Sequence, residues 1–576
     1  MSISNPIPEG RGQSVKDFFS KSSNVLSLAR ETSKALTEKY LPRYEKKKKT
    51  FKLYDGVMGM VLFPHLKAQT SKLADKVRSE LKKCIADKKY TKGFYDPAYL
   101  FKTLSGFFTK DTDSQASHPC FIKAKQMLIN DIKPREFLEP LLLSKDMDVK
   151  VNLSKTSTSA GFKFYGRKKK HVESYMIRRA MEIWKQIESG VSHFKIDVEP
   201  FIALTRAQIG AASSSLKYVR PVDENGNVKY KGRLVWCMDA AMVLVESVFA
   251  RPLINYLAEA WPNISMGKTP EQIRNMCVEM SEEFKVWFSI DFEKYDSSVP
   301  AWLIREAFDI VKSCYNPIWH RYIDFICVKF INASILMPDG RIYTVKKGIK
   351  SGSYFTQIIG SLVNALMLYT FMIHKFEIHE LERKEANPDY IPQTLEECFI
   401  MKNGAKACQF MGDDNAFALK CDLDFGAYIK FVKALFGMNI NGDKSTKGKQ
   451  GEPVDYLKRK WTRFGEFRDE VDLMCNLMHP ERKRTYENYS PWHVLFGYYM
   501  TYRGSMERLG FSLKLIVDKM RDSEFGIEAF YHLEREELPG AIAALKYSNV
   551  DEFVQLVDAL ILEAEREYVD IWEDEA

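Results

Sequence analysis

Apolar and polar positions alternate most informatively in the middle third of the chain. Residues 286–291 form a short apolar run that ends on an acid, the pattern of a buried strand whose C-terminal end opens to a site. Residues 408–411 and 416–419 are two further apolar runs. Gly412-Asp413-Asp414-Asn415 lies between them, which predicts a hairpin with acids at its tip. Between these, Gly348 to Gly352 reads as a flexible loop and residues 356–374 as a long helix, giving the order strand, loop, helix, hairpin. Downstream, residues 425–436 predict a helix, 438–440 a return strand and Asp443-Lys444-Ser445 a turn. Towards the N-terminus, an irregular Gly/Pro/Ser-rich arm precedes a basic helix over 71–86, a polar loop over 111–119, and helices around 123–130 and 175–189. From about 478 onward the pattern is mostly helical, as in 542–545 and 553–564.

Composition narrows the class. A chain of 576 residues, 45% hydrophobic and 28% charged, has material for several cores and is expected to fold as linked subdomains. The net charge of +9 favours a polyanionic partner without naming one; basic runs sit early and the last residues are acidic. Ten cysteines show no CxxC pair and no zinc-ligand spacing, so a reducing compartment is expected. No leader-like segment opens the sequence. The most membrane-like stretch, 358–373, is short and broken by Ser361 and Asn364, so a buried helix and no membrane association are expected.

The chemistry concentrates on Asp291, Asp413 and Asp414. Carboxylates delivered from a strand end and a hairpin tip suit a pair of Mg²⁺ ions about 3.5 to 4 Å apart, the arrangement used in phosphoryl transfer, and Mn²⁺ can substitute. An acidic turn is also what a solvated hairpin uses; the apolar flanks Phe410-Met411 and Ala416 to Leu419 favour function, because charge at the end of buried strands is costly. Around Asn225-Gly226, a strong turn signal, Lys217, Arg220, Lys231 and Arg233 can project together to neutralise a triphosphate, although an exposed charged hairpin reads the same. Ser351, Gly352, Ser353, Thr356 and Asn364 form a polar set at the long helix. Asn364 is expected either to pair with Asp296 at a ribose hydroxyl or to tie helix to sheet as a buried amide. The glycine spacing at Gly437 and Gly442 mimics a phosphate loop, but Asp443 would put an acid beside the phosphates.

These ordered motifs, spanning roughly residues 156–465, resemble the viral RNA-dependent RNA polymerases, most closely those of partitiviruses, with picobirnavirus polymerases the nearer alternative. The resemblance implies an α+β closed right hand with fingers, a palm built on an RRM-like antiparallel sheet and a mostly helical thumb. It implies an N-terminal extension over 1–70, fingers over 71–240 and 301–347, palm over 241–300 and 348–465, and thumb with C-terminal extension over 466–576. Asp291 and Asp413 resemble the metal aspartates, with Asp414 beside them, and Asp296 the ribose sensor. Ser351, Gly352, Thr356 and Asn364 resemble the nucleotide-selecting loop and helix. Thr158, Ser159 and Gly161 resemble a template-guiding segment, Lys458 and Arg459 a primer-gripping hairpin, and Lys433 the proton donor to pyrophosphate. Template and product RNA, ribonucleoside triphosphates and a capsid protein are the implied partners of a monomer working inside a virion in the host cytoplasm. A reverse transcriptase and a non-catalytic RNA-packaging protein are the competing readings.

Overall fold

The computed structural model describes residues 97–468 apart from 154, 155, 157, 208, 212–231 and 464, with the backbone alone for the strand residues between 205 and 233, and three short strands nearer the N-terminus. The basic helix expected over 71–86, the Asn225-Gly226 hairpin with Lys217, Arg220 and Lys231, and the helices expected beyond 478 lie outside the described residues.

In chain order the strands used below are β1 (Phe201–Ala207), β2 (Gly232–Cys237), β3 (Val286–Ile290), β4 (Ala333–Leu336), β5 (Arg341–Val345), β6 (Cys408–Met411), β7 (Asp414–Leu419), β8 (Thr446–Lys449), β9 (Val454–Tyr456), β10 (Arg459–Thr462) and β11 (Gly465–Phe467). The helices are α1 (Pro119–Ile132), α2 (Ala240–Ala260), α3 (Thr356–Ile373) and α4 (Phe425–Phe436). A four-stranded antiparallel sheet in the order β6-β7-β3-β8 lies at the centre. A second sheet carries β5-β4-β1-β2, in which β1 and β4 run parallel, with the strand Gly12–Ser14 on its outer edge. The strands β9, β10 and β11 form a small antiparallel sheet of their own.

Apolar patterning explains the centre. In β3 the sequence Val-Trp-Phe-Ser-Ile is covered on both faces, as an unbroken apolar run requires. Phe288 pairs in register with Phe417, their rings stacked at 5.1 Å, and Phe425 of α4 stacks on Phe288 at 5.5 Å, so α4 closes one face of the sheet. Helix α3 is apolar on nearly every side and is buried along almost its whole length, which makes it a core helix packed on α1 and the sheet. Both α2 and the helical stretch that begins with α3 are long and apolar enough to cross a bilayer, and the surface of each is mostly covered by the protein itself.

Two expectations need correction. Residues 438–440 alternate buried, exposed, buried as a strand would, yet they form a single bridge, Ile440 to Phe292, because the chain there passes the end of β3 instead of running beside it. The strand that returns along β3 is β8. Asp414 is also not a turn residue: it opens β7 opposite Met411, leaving Gly412 and Asp413 as a two-residue turn. The expected elements over 286–291, 356–374, 408–419 and 425–436 otherwise stand where the pattern put them, and helical winding continues past α3 through a π-turn, His374–His379, to Ala386.

Candidate active site

Register brings the acids together. Asn415 faces Ile290 across β7 and β3, so one step further along the pair Asp414 comes level with Asp291, and Asp413 stands at the adjoining tip. Gly412 has φ of 65°, the positive value that the first position of such a tight turn demands. The main chain of Asp291 is held by a second turn: its N–H donates to Ser445 Oγ at 3.1 Å and its carbonyl accepts from Asn441 N–H at 2.8 Å, while Ser445 Oγ donates to Asn441 O at 2.8 Å. Asp291 and Asp413 are exposed, and among the described residues neither carboxylate has an ion pair or hydrogen bond.

Helix α3 grips the hairpin from behind. Ser361 Oγ accepts the Gly412 N–H at 2.9 Å, and Asn364 Nδ2 donates to the carbonyls of Gly412 at 3.0 Å and Asp413 at 3.2 Å. The Asn364 Oδ1 accepts from Asn415 Nδ2 at 2.5 Å, so this fully buried amide ties helix to sheet, the second of the two roles its sequence context offered. Tyr295 donates to Gly360 O at 2.6 Å. Burial pushes its phenol far above the usual range, and the charges of Asp413 and then Asp296 push it further, which puts both carboxylates around this one ring.

The loop before α3 is clamped on several sides. Ile349 N–H donates to Asp296 O at 2.6 Å, and Thr356 Oγ1 donates to Lys350 O at 2.6 Å and Ser353 O at 2.8 Å. Ser351 Oγ accepts the Trp236 N–H at 3.1 Å, and a Cβ on Gly352 would stand 1.9 Å from Trp236 O, so only glycine fits against β2 here. Two buried charges that the sequence did not flag complete the clamp. Lys350 Nζ donates to three carbonyls, of Ile331, Lys347 and Gly348, at 3.0, 2.9 and 2.8 Å, and burial lowers its pKa well below the ordinary lysine value. Glu246 of α2 accepts from Ser353 Oγ and Tyr354 N–H, both at 2.8 Å; burial pushes its carboxyl up to about 8, and its other oxygen has no partner among the described residues. The only sequence signal for Glu246 is an acid in the apolar run 240–250.

The remaining expected residues lie elsewhere. Thr158 accepts from Lys169 Nζ at 2.6 Å, and Ser159 bridges to Lys168. Gly161, at φ of 90°, packs against Asp239 at the start of α2. Lys458 sits exposed at the positive-φ tip between β9 and β10, while Arg459 pairs with Glu466 at 3.0 Å. Arg233 lies on β2, its side chain outside the described set. Lys433 is exposed in the last turn of α4, where its carbonyl caps Gly437. Lys444, by contrast, belongs to the turn bonded to Asp291. Among the described residues no three Asp, Glu, His or Cys side chains close into a ready metal cage. Exposed, unpaired carboxylates do fit an ion that keeps water and takes the rest of its shell from a substrate phosphate, as Mg²⁺ does.

Comparison with known proteins agrees with this arrangement. Residues 112–474 match the family described as viral RNA-dependent RNA polymerase. An RNA-directed RNA polymerase of Cryptosporidium parvum virus 1 (strain KSU-1) is 28% identical over 221 residues, which is 36% of this chain; the match spans only 37% of that relative's length. The crystal structure of a human picobirnavirus RNA-dependent RNA polymerase superposes with a TM-score of 0.54 over 86% of this chain and 88% of that one, at 14% identity. Its insertion-loop deletion mutant gives 0.53 over 86% and 87%, also at 14%.

Proposed function

The chain belongs to the viral RNA-dependent RNA polymerases, related to the picobirnavirus and partitivirus type, and from that premise we propose that it copies RNA templates by two-metal nucleotidyl transfer to transcribe and replicate a double-stranded RNA genome. The observation that carries the reading is the pairing of β3 with β7, which sets Asp291, Asp413 and Asp414 at one sheet end with two unpaired carboxylates facing outward. On this reading the sheet β6-β7-β3-β8 is the palm, the sheet containing β1 and β2 belongs to the fingers, and the residues from 466 onward form the thumb.

The reaction follows from the layout. The 3′-hydroxyl of the growing strand loses its proton and attacks the α-phosphate of a templated nucleotide, and pyrophosphate leaves on the opposite side. Mg²⁺ or Mn²⁺ held by Asp291, Asp413 and Asp414 supplies the charge neutralisation that these oxygens need. The turn at 441–445 and helix α3 keep the carboxylates from moving, because reacting groups misplaced by about 1 Å cost roughly a hundredfold in rate. Lys217, Arg220, Lys231 and Arg233 would meet the triphosphate; Thr158, Ser159, Gly161, Lys458 and Arg459 would meet RNA. For the proton that pyrophosphate takes up, Lys433 is the donor the sequence suggests. Lys444 is a second candidate, favoured by its place in the turn that holds Asp291. Work as a monomer in contact with a capsid protein, inside a particle in the host cytoplasm and off membranes, completes the proposal.

Mn²⁺ binding followed by water-proton relaxation tests the metal site without any turnover. Asp291→Asn and Asp413→Asn should each weaken binding at least tenfold; equal binding in wild type and both variants would count against these carboxylates as ligands.

A further inference from the structure

A polymerase that selects ribonucleotides needs a side chain that reads the 2′-hydroxyl, and the amide the sequence offers for it, Asn364, is already fully engaged. Both of its N–H groups and its carbonyl oxygen are bonded to the hairpin, and the side chain is completely buried. Helix α3 presents another amide on the same face. Residues 357, 360, 361 and 364 follow the i, i+3, i+4, i+7 spacing of one helical stripe. Gly360 lets the hairpin approach, Ser361 and Asn364 bond to it, and Gln357 is the outermost member. Its Oε1 lies 2.6 Å from where a Cβ on Gly412 would stand, so the amide rests against the turn that carries Asp413. Unlike the three residues below it Gln357 is exposed, and its amide has no hydrogen-bond partner among the described residues. Tyr295, the neighbour of Asp296, bonds Gly360 O, about 4.5 Å along the helix axis from Gln357.

We propose that Gln357, acting with Asp296, recognises the ribose 2′-hydroxyl of the incoming nucleotide, and that Asn364 is a positioning residue that clamps the hairpin. This rests on the polymerase reading above. A carboxylate can only accept a hydrogen bond from the hydroxyl, whereas an amide can also donate one, so the pair satisfies both capacities of the group that distinguishes RNA precursors from DNA precursors. A site that hydrogen-bonds a hydroxyl rejects the analogue lacking it, since its own polar groups are then left unpaired.

The test is the ratio of kcat/KM for a ribonucleoside triphosphate to that for its 2′-deoxy counterpart on an RNA template. Gln357→Ala should lower the ratio at least tenfold with the melting temperature unchanged. Asn364→Ala should lower the melting temperature and leave the ratio alone. A Gln357→Ala enzyme that polymerises with the wild-type ratio overturns the sugar role by itself, as does a ratio that falls in Asn364→Ala instead. A wild type inert with every nucleotide overturns the polymerase reading, and this inference with it. If Gln357→Ala is too slow to assay, the same ratio is read as competitive binding of the two triphosphates to the enzyme–RNA complex in Ca²⁺: a tenfold fall supports the role and an unchanged ratio refutes it.

Discussion

Asp291 leaves β3 with its main-chain N–H and carbonyl bonded and its carboxylate unpaired, so the protein holds the group still without neutralising it. Ser445→Ala removes the acceptor for that N–H. It should cost about 0.5–1.5 kcal/mol of stability, read from chemical denaturation, and a larger share of activity, roughly tenfold or more in kcat. Gly412→Ala places a Cβ against Gln357 Oε1 at a φ of 65° and should destabilise by about 1–2 kcal/mol. Glu246 behaves unlike an ordinary surface acid. Its folded carboxyl titrates at about 8, above the model value of 4.5, so between those pH values the folded state holds more protons than the unfolded one and stability falls as pH rises. Glu246→Gln should therefore raise the melting temperature more at pH 8 than at pH 5, and equal differences at the two pH values would contradict a raised carboxyl. Asp291, Asp413 and Asp414 were legible in the sequence because acids at the ends of apolar runs are conspicuous. Glu246, Lys350 and Gln357 were not: their importance lies in which backbone groups and which turn they meet, and those partners are distant in sequence.

At the scale of elements, the hairpin and α3 act as one unit. Asn364→Leu would leave the carbonyls of Gly412 and Asp413 without their donor, and should destabilise by about 1–3 kcal/mol in equilibrium unfolding. A loss below the error of the measurement would mean that the clamp is dispensable. The order strand, loop, helix, hairpin could be read from the sequence because each element has its own hydrophobic period and the turn residues separate them. The return strand could not, since the alternation at 438–440 is real but serves burial past the sheet edge, and β8, polar and exposed except at Gly448, carries no apolar signal. Pairing partners were likewise invisible: that β3 lies between β7 and β8 is a fact of register.

For the whole molecule, the net charge of +9 and the exposed lysines near the site, Lys444, Lys447 and Lys458, fit a partner with a phosphate backbone. RNA retention should weaken as salt rises and should survive Asp413→Ala, because the acids serve chemistry and the cations serve affinity. The measurement that tests the central claim most directly is templated incorporation of labelled ribonucleotides by the purified protein in Mg²⁺ or Mn²⁺, with Asp291→Ala and Asp413→Ala alongside. Template-length product from wild type, lost in both variants while RNA binding persists, is the predicted result. Undiminished synthesis in either variant would contradict the assignment of the sheet end formed by β3 and β7 as the catalytic centre.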